Sequence, residues 1–135
     1  MPYLDSNVFI YPVIYQAESE PKAKKAKELL LRVESGEFEA YTSTLTWDEV
    51  VWVTSKTMGR REGIDQGKKL LGFPNLKFIT TDDAVLSHAQ RLLEKRRINP
   101  RDAIHIASAL EKKITEIISD DTDLDIIKEI QRIPF

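Results

Sequence analysis

The stretch YLDSNVFIY, residues 3–11, decides how this chain is read. Tyr3-Leu4 is a short apolar stub. It meets Asp5-Ser6-Asn7 and then an apolar run, Val8 to Tyr15, broken by one proline. A carboxylate at the seam of two buried segments is costly unless something pairs with it. Asp5 therefore either caps the helix that follows or faces a cation.

The rest of the chain bounds the choice. It has 135 residues, 41% hydrophobic, enough for one domain, residues 1–135, with a core of its own. There is no cysteine, which removes thiolate catalysis and Cys-type zinc sites. Only His88 and His105 offer imidazole, so a multi-histidine site is not available. No apolar run approaches the ~20 residues of a membrane helix. No secretory signal opens the chain, and a cytoplasmic protein is the expectation. Net charge is −2, so nucleic-acid binding would depend on a local patch. RLLEKRRINPR, residues 91–101, is such a patch, with Arg96, Arg97 and Arg101 as the candidate RNA contacts. Cations at a helix C-terminus are favoured in any case, which is the plainer reading of Lys95, Arg96 and Arg97.

Short apolar runs read as strands at Tyr3–Leu4, Phe38–Tyr41, Leu76–Ile79, Glu116–Ser119 and near Ile133. Between them lie helical segments. One runs from about Glu20 to Gly36, one covers TLTWDEVVWVTSKTMG, and a shorter one covers REGIDQGKKLLG. DDAVLSHAQRLLEKRR is strongly amphipathic. NPRDAIHIASALEKK starts with Asn99 as N-cap and Pro100 at the first helical position. DLDIIKEIQ reads as a short last helix. Alternating strands and helices predict an α/β fold, a mostly parallel sheet covered on both faces. Sites in such sheets lie beyond the carboxyl ends of the strands, where strand order reverses.

Asp5 ends the first strand. Glu49 lies early in the helix after the second. Asp102 sits in the first turn of the helix leading into the fourth strand, and Asp121 and Asp123 directly follow that strand. All are expected at one edge. Glu49 shares a helical stripe with Leu45, Trp52 and Val53, an odd place for a carboxylate. Taken singly, Asp5, Asp102, Asp121 and Asp123 also have structural readings as caps, turn residues or dipole partners. Together they would repel each other and resist ionising, a conflict that a divalent cation removes. All-oxygen ligands favour Mg²⁺ or Mn²⁺. His105, one turn after Asp102, could touch the site, and a hydrogen-bonded structural histidine is the plainer reading.

YLDSNVFIY, the Glu of TLTWDEVVWV, the Asp of PRDAIHIASAL and IISDDTDLD resemble, in order and spacing, the four acidic motifs of the PIN domain family. Size and opening look most like the VapC-type ribonuclease toxins of toxin–antitoxin pairs, archaeal ones especially. The resemblance implies a three-layer α/β/α fold with a five-stranded parallel sheet in the order 3-2-1-4-5. It implies Asp5, Glu49, Asp102 and Asp121 as catalytic acids. Asp5, Asp102, Asp121 and Asp123 would ligate one or two Mg²⁺ or Mn²⁺ ions, with Glu49 through water. Ser6, Asn7 and Ser119 would support them. The family's last motif carries an aromatic where this chain has Leu124, and Asp120, Asp121 and Asp123 crowd together there. Asp121 is taken as the fourth acid and Asp123 as second choice. The implied reaction is hydrolysis of single-stranded RNA to a 3′-hydroxyl and a 5′-phosphate. The implied partners are RNA, a VapB-like antitoxin and a second copy of the chain. A housekeeping RNA-processing nuclease would share this chemistry. A non-catalytic RNA- or metal-binding module is the rival from another class. In an Asp-x-Asp phosphatase, Asn7 would have to be the second carboxylate.

Overall fold

The computed structural model describes residues 1–135. Its elements are β1 (Tyr3–Leu4), α1 (Ser6–Ile14), α2 (Pro21–Glu34), β2 (Ala40–Ser43), α3 (Thr44–Met58), α4 (Arg60–Leu71), β3 (Leu76–Ile79), α5 (Asp83–Lys95), α6 (Pro100–Glu111), β4 (Glu116–Ile118) and β5 (Gln131–Ile133). A 3₁₀ helix, Thr122–Ile126, connects β4 to β5. The five strands form one parallel sheet in the order β3-β2-β1-β4-β5, as expected. No helix is long and apolar enough to cross a membrane.

The central strand has only two residues, and they explain the layering. Successive side chains of a strand point to opposite faces. Tyr3 and its neighbour Ile117 join a core with Val85, Ala89 and Leu92 of α5 and Ala103 and Ile106 of α6. Leu4 and its neighbour Ile118 join the opposite core with Val8 and Phe9 of α1, Ala26 and Val33 of α2 and Val50 of α3. Both β1 side chains are fully buried. The sheet therefore has α5 and α6 on one side and α1 to α4 on the other.

Local chemistry sets the element ends. Asp5 accepts from the Ser6 N–H and is the N-cap of α1. Glu20 caps α2, with Pro21 at its first position. Asn99 and Pro100 start α6 as expected. The second strand lies two residues later than the apolar run Phe38–Tyr41 suggests. Phe38 instead packs at the margin of the α1–α4 core, and the ladder pairs Ala40–Ser43 with Leu76–Ile79. The short last helix is corrected too. Only Thr122–Ile126 is helical, as 3₁₀, and Gln131 already belongs to β5.

The helix α4 forms despite two glycines, because both lie against α3. A Cβ on Gly67 would stand 2.7 Å from Val51 Cγ2 and 3.0 Å from Trp47 Nε1. One on Gly63 would stand 1.9 Å from Ser55 Oγ and 3.0 Å from the Val51 carbonyl oxygen. Alanine gains about 1 kcal/mol in helix propensity. Overpacking costs roughly 1–3 kcal/mol and outweighs it. Gly67→Ala and Gly63→Ala are each expected to lower the midpoint of thermal unfolding. An unchanged or raised midpoint in both would show that α4 is not held this closely.

Candidate acidic site

The carboxyl edge is organised around one hydroxyl. Ser119, fully buried just past β4, donates to Asp5 Oδ2 at 2.6 Å. Its oxygen accepts from Asn7 Nδ2 at 3.2 Å and from the Asp121 N–H at 3.0 Å. One donor and two lone pairs are thereby used up. The Asn7 amide must turn its NH₂ toward Ser119. Its Oδ1 is left buried without a hydrogen-bond partner. Asp5, 4% exposed, takes the Ser6 N–H on Oδ1 at 2.8 Å, so both of its oxygens are held. Ser6 enters through its backbone.

Asp102 is fixed from its own helix. Asn99 Oδ1 accepts from the Asp102 N–H at 2.9 Å, and Asn99 Nδ2 donates to Asp102 Oδ2 at 2.8 Å. Oδ1 of Asp102 stays free of protein partners. Asp121 caps the 3₁₀ helix through the Asp123 N–H at 2.9 Å. This local bond folds Asp123 back toward the edge. Oxygens of Asp102, Asp121 and Asp123 all lie within 4.8 Å of one another.

Asp5 and Glu49 stand outside that triplet and are joined by His105. The imidazole Nε2 lies 2.5 Å from Glu49 Oε1 and 3.6 Å from Asp5 Oδ1. Glu49 is half-buried on α3, in the stripe read from the sequence. Its helix neighbour Trp52 is 59% exposed. Trp47, 42% exposed, covers Gly67.

Electrostatics follow from this crowding. Burial, then the charges of Asp121, Asp5 and Asp123, push Asp102 up to about 7, against a smaller opposing effect of His105. Burial opposes a charge on His105. The Glu49 hydrogen bond and the charges of Asp5, Glu49 and Asp102 outweigh it and raise the ring. Asp120 is set apart. Tyr11 donates to its Oδ2 at 2.9 Å and Lys22 pairs with its Oδ1 at 2.8 Å. Burial works against ionising Asp120, but Lys22, Tyr11 and Arg132 outweigh it and hold the carboxyl below its usual range.

The donor set can be tested against a divalent ion. Three carboxylates from two chain-distant segments offer oxygens at ligating spacing. One of them resists ionising without a counter-charge. An orphaned amide oxygen lies on the same hydroxyl network. Oxygen donors with this shortage of positive charge fit Mg²⁺ or Mn²⁺.

The PIN domain family model matches residues 3–130, which include every acid of this edge. The chain belongs to the PIN domain family. No curated protein is matched by sequence. Solved structures share the fold at low identity. VapC20 of Mycobacterium tuberculosis, a Sarcin-Ricin loop cleaving toxin, gives a TM-score of 0.77 at 14% identity, over 95% of each chain. VapBC2 of Rickettsia felis, bound to a DNA fragment from their promoter, gives 0.69 at 15% identity, over 99% of this chain and 98% of that one. FitAcB of Neisseria gonorrhoeae gives 0.69 at 15% identity, over 98% of this PIN chain and 96% of its own.

Of the basic candidates, Arg96 is engaged by Glu129 at 3.4 Å. Arg97 and Arg101 are exposed and make no ion pair, and Arg101 precedes Asp102. Sequence reading missed three contributors. Asn99 was visible only as a cap, yet it also orients Asp102. Tyr11 and Lys22 sequester Asp120. His105 carried one signal, an imidazole three residues after Asp102 in a helix apolar all round.

The raised groups dictate a pH dependence. Between its ordinary 3.8 and about 7, Asp102 keeps in the folded state a proton that the unfolded chain has released. Stability falls as pH rises through that window. His105 acts in the same direction. Its contribution is complete below 6.5 and is lost as pH passes its higher folded value. In chelator, thermal melts are expected to show a less stable protein at pH 8 than at pH 5, with Asp102 accounting for at most about 3 kcal/mol of that difference. Asp102→Asn is expected to flatten the trend, and millimolar Mg²⁺ to raise the pH 8 midpoint. A wild-type midpoint independent of both pH and Mg²⁺ would contradict the electrostatic picture.

Proposed function

We propose that this PIN protein is a divalent-metal-dependent endoribonuclease, the VapC-type toxin of a toxin–antitoxin pair, cutting single-stranded RNA. One observation carries the reading: the convergence of Asp102, Asp121 and Asp123 within 4.8 Å, with Asp5 tied to Asp121 through Ser119. Oδ1 of Asp102, Asp121 and Asp123 would hold the metal, Mg²⁺ or Mn²⁺. When bound, the ion supplies a Lewis acid that lowers the pKa of water and neutralises charge on the scissile phosphate. Asp5, with both oxygens anchored, acts as a fixed negative charge and a remaining ligand. Glu49 offers its second oxygen to orient water, since Oε1 is occupied by His105. Asn7 Oδ1 is a spare acceptor for the same water network. Ser6 and Ser119 keep Asp5 in place.

The exposed guanidinium groups of Arg97 and Arg101 suit contact with RNA phosphates, weakening with salt. Arg96 contributes less while it is paired with Glu129. Trp52, Met58, Ile64 and Leu71 are more than half exposed on α3 and α4. Apolar exposure of this kind supports protein partners. A VapB-like antitoxin and a second copy of the chain are the partners proposed, in line with the toxin–antitoxin complexes among the similar folds.

Purified protein is expected to cleave single-stranded RNA with Mg²⁺ or Mn²⁺ and to stop in chelator. Asp5→Asn and Asp102→Asn should each cost about 100-fold or more in kcat, as loss of a fixed electrostatic group does in other enzymes. Cleavage unaffected by chelator and by both substitutions would refute the mechanism.

A further inference from the structure

We infer that His105 is a positioning residue, locked by Tyr3, that aims Glu49 at the acid triplet. The inference rests on the ribonuclease reading. Tyr3 is fully buried in one core with Ala103, Ile106, Ala107 and Ile117, and His105 is 1% exposed. Packing alone would be served by an apolar side chain here. Instead the Tyr3 hydroxyl sits 2.6 Å from His105 Nδ1, and the two rings meet edge to face at 5.8 Å.

With Glu49 and Asp5 ionised, the bonding at the far side of the ring has only one solution. Nε2 faces Glu49 Oε1 and Asp5 Oδ1, both carboxylate oxygens. Carboxylates accept, so Nε2 carries a proton in either state of the ring. At Nδ1 the partner is a hydroxyl, which can donate to a bare nitrogen or accept from a protonated one. Tyr3 therefore holds the ring in both states and never competes for the Nε2 proton. The arrangement does not depend on whether His105 is charged.

The consequence falls on Glu49. A glutamate on a helix has several rotatable bonds, and Glu49, 17% exposed, keeps a route to solvent. One charge-assisted bond from an immobile ring removes most of that freedom. It takes Oε1 and leaves Oε2 without a protein partner. His105 lies three residues after Asp102 on α6, while Glu49 is on α3. The bond therefore registers the two helices that carry these acids. Misplacing a reacting group by about 1 Å can cost about 100-fold in rate. Turnover should suffer more than substrate binding.

The test uses the full chain with three variants. His105→Leu removes the bond. His105→Gln places an amide N–H where Nε2–H was. Tyr3→Phe removes only the hydroxyl. With folding checked by circular dichroism and thermal melts, His105→Leu is expected to lose about 100-fold in kcat with KM for RNA changed less than about threefold. His105→Gln is expected to recover to within about tenfold of wild type. If His105→Leu does not fold, Tyr3→Phe carries the comparison, with a kcat loss of about three- to tenfold expected and an unchanged KM. A folded His105→Leu with wild-type kcat, equal losses in the Gln and Leu variants, or a Tyr3→Phe variant with unchanged kcat would overturn the proposal. Imidazole ¹⁵N NMR gives a readout independent of cleavage. A slowly exchanging proton on Nε2, displaced in Glu49→Gln, is expected. A freely exchanging or absent Nε2 proton overturns the proposal whether or not RNA is cut. Wild-type protein that shows the Nε2 proton yet cuts no RNA refutes the ribonuclease reading, and with it a positioning role in that reaction.

Discussion

The joint between Asp5, Asn7 and Asp121 at the carboxyl edge depends on the Ser119 hydroxyl having no bonding capacity to spare. It gives its proton to Asp5 and its lone pairs to Asn7 and the backbone of Asp121. Through these bonds the end of β1, the start of α1 and the turn after β4 become one rigid unit. A group this buried cannot exchange one partner for water without leaving another unsatisfied. The positions of Asp5 and Asp121 therefore follow from sheet pairing rather than from attraction between the acids, which repel. The fold supplies the geometry and holds it against the electrostatics.

That opposition separates the acids by task. Asp5 has one donor on each oxygen and is rigid, with lone pairs to spare. Asp102 has one oxygen held by Asn99 and the other free, and it bears the cost of the crowding. Asp121 and Asp123 lie on a turn whose own hydrogen bond brings them together. Asp120 is removed by Tyr11 and Lys22, so adjacent acids in the sequence have opposite fates. Neighbours that lie far away in the chain thus take Asp120 out of the crowded run, while Asp121 and Asp123 both stay beside Asp102.

Much of this could be read beforehand, for identifiable reasons. Asp5, Asp102 and Asp121 sit beside strand ends or helix caps with strong local signals. The parallel α/β alternation assigns such positions to one edge. The β2 register was missed because Phe38 looks like a strand residue while packing at a core margin. The last helix was overextended because apolar spacing from Leu124 to Ile130 mimics a helix, whereas Asp121 capping a tight 3₁₀ turn and the pairing of Gln131 end it early. Helical spacing alone cannot say which apolar face of α3 meets the sheet, and Trp52 stands exposed. The His105–Glu49 bond spans 56 residues, and no local pattern encodes it.

The two-residue central strand also constrains when the site can exist. The Ser119 hydroxyl and the Ile117–Ile118 ladder that hold Asp5 lie more than a hundred positions after it in the chain. During synthesis, β1 has only β2 to pair with, through a single aligned residue pair. The acid cluster cannot close until the segment around Asp123 has emerged from the ribosome. A nascent chain of this protein carries all the side chains of α1 to α5 and still has no assembled site. Translation itself thus keeps the acidic edge unformed until both halves of the sheet have been made.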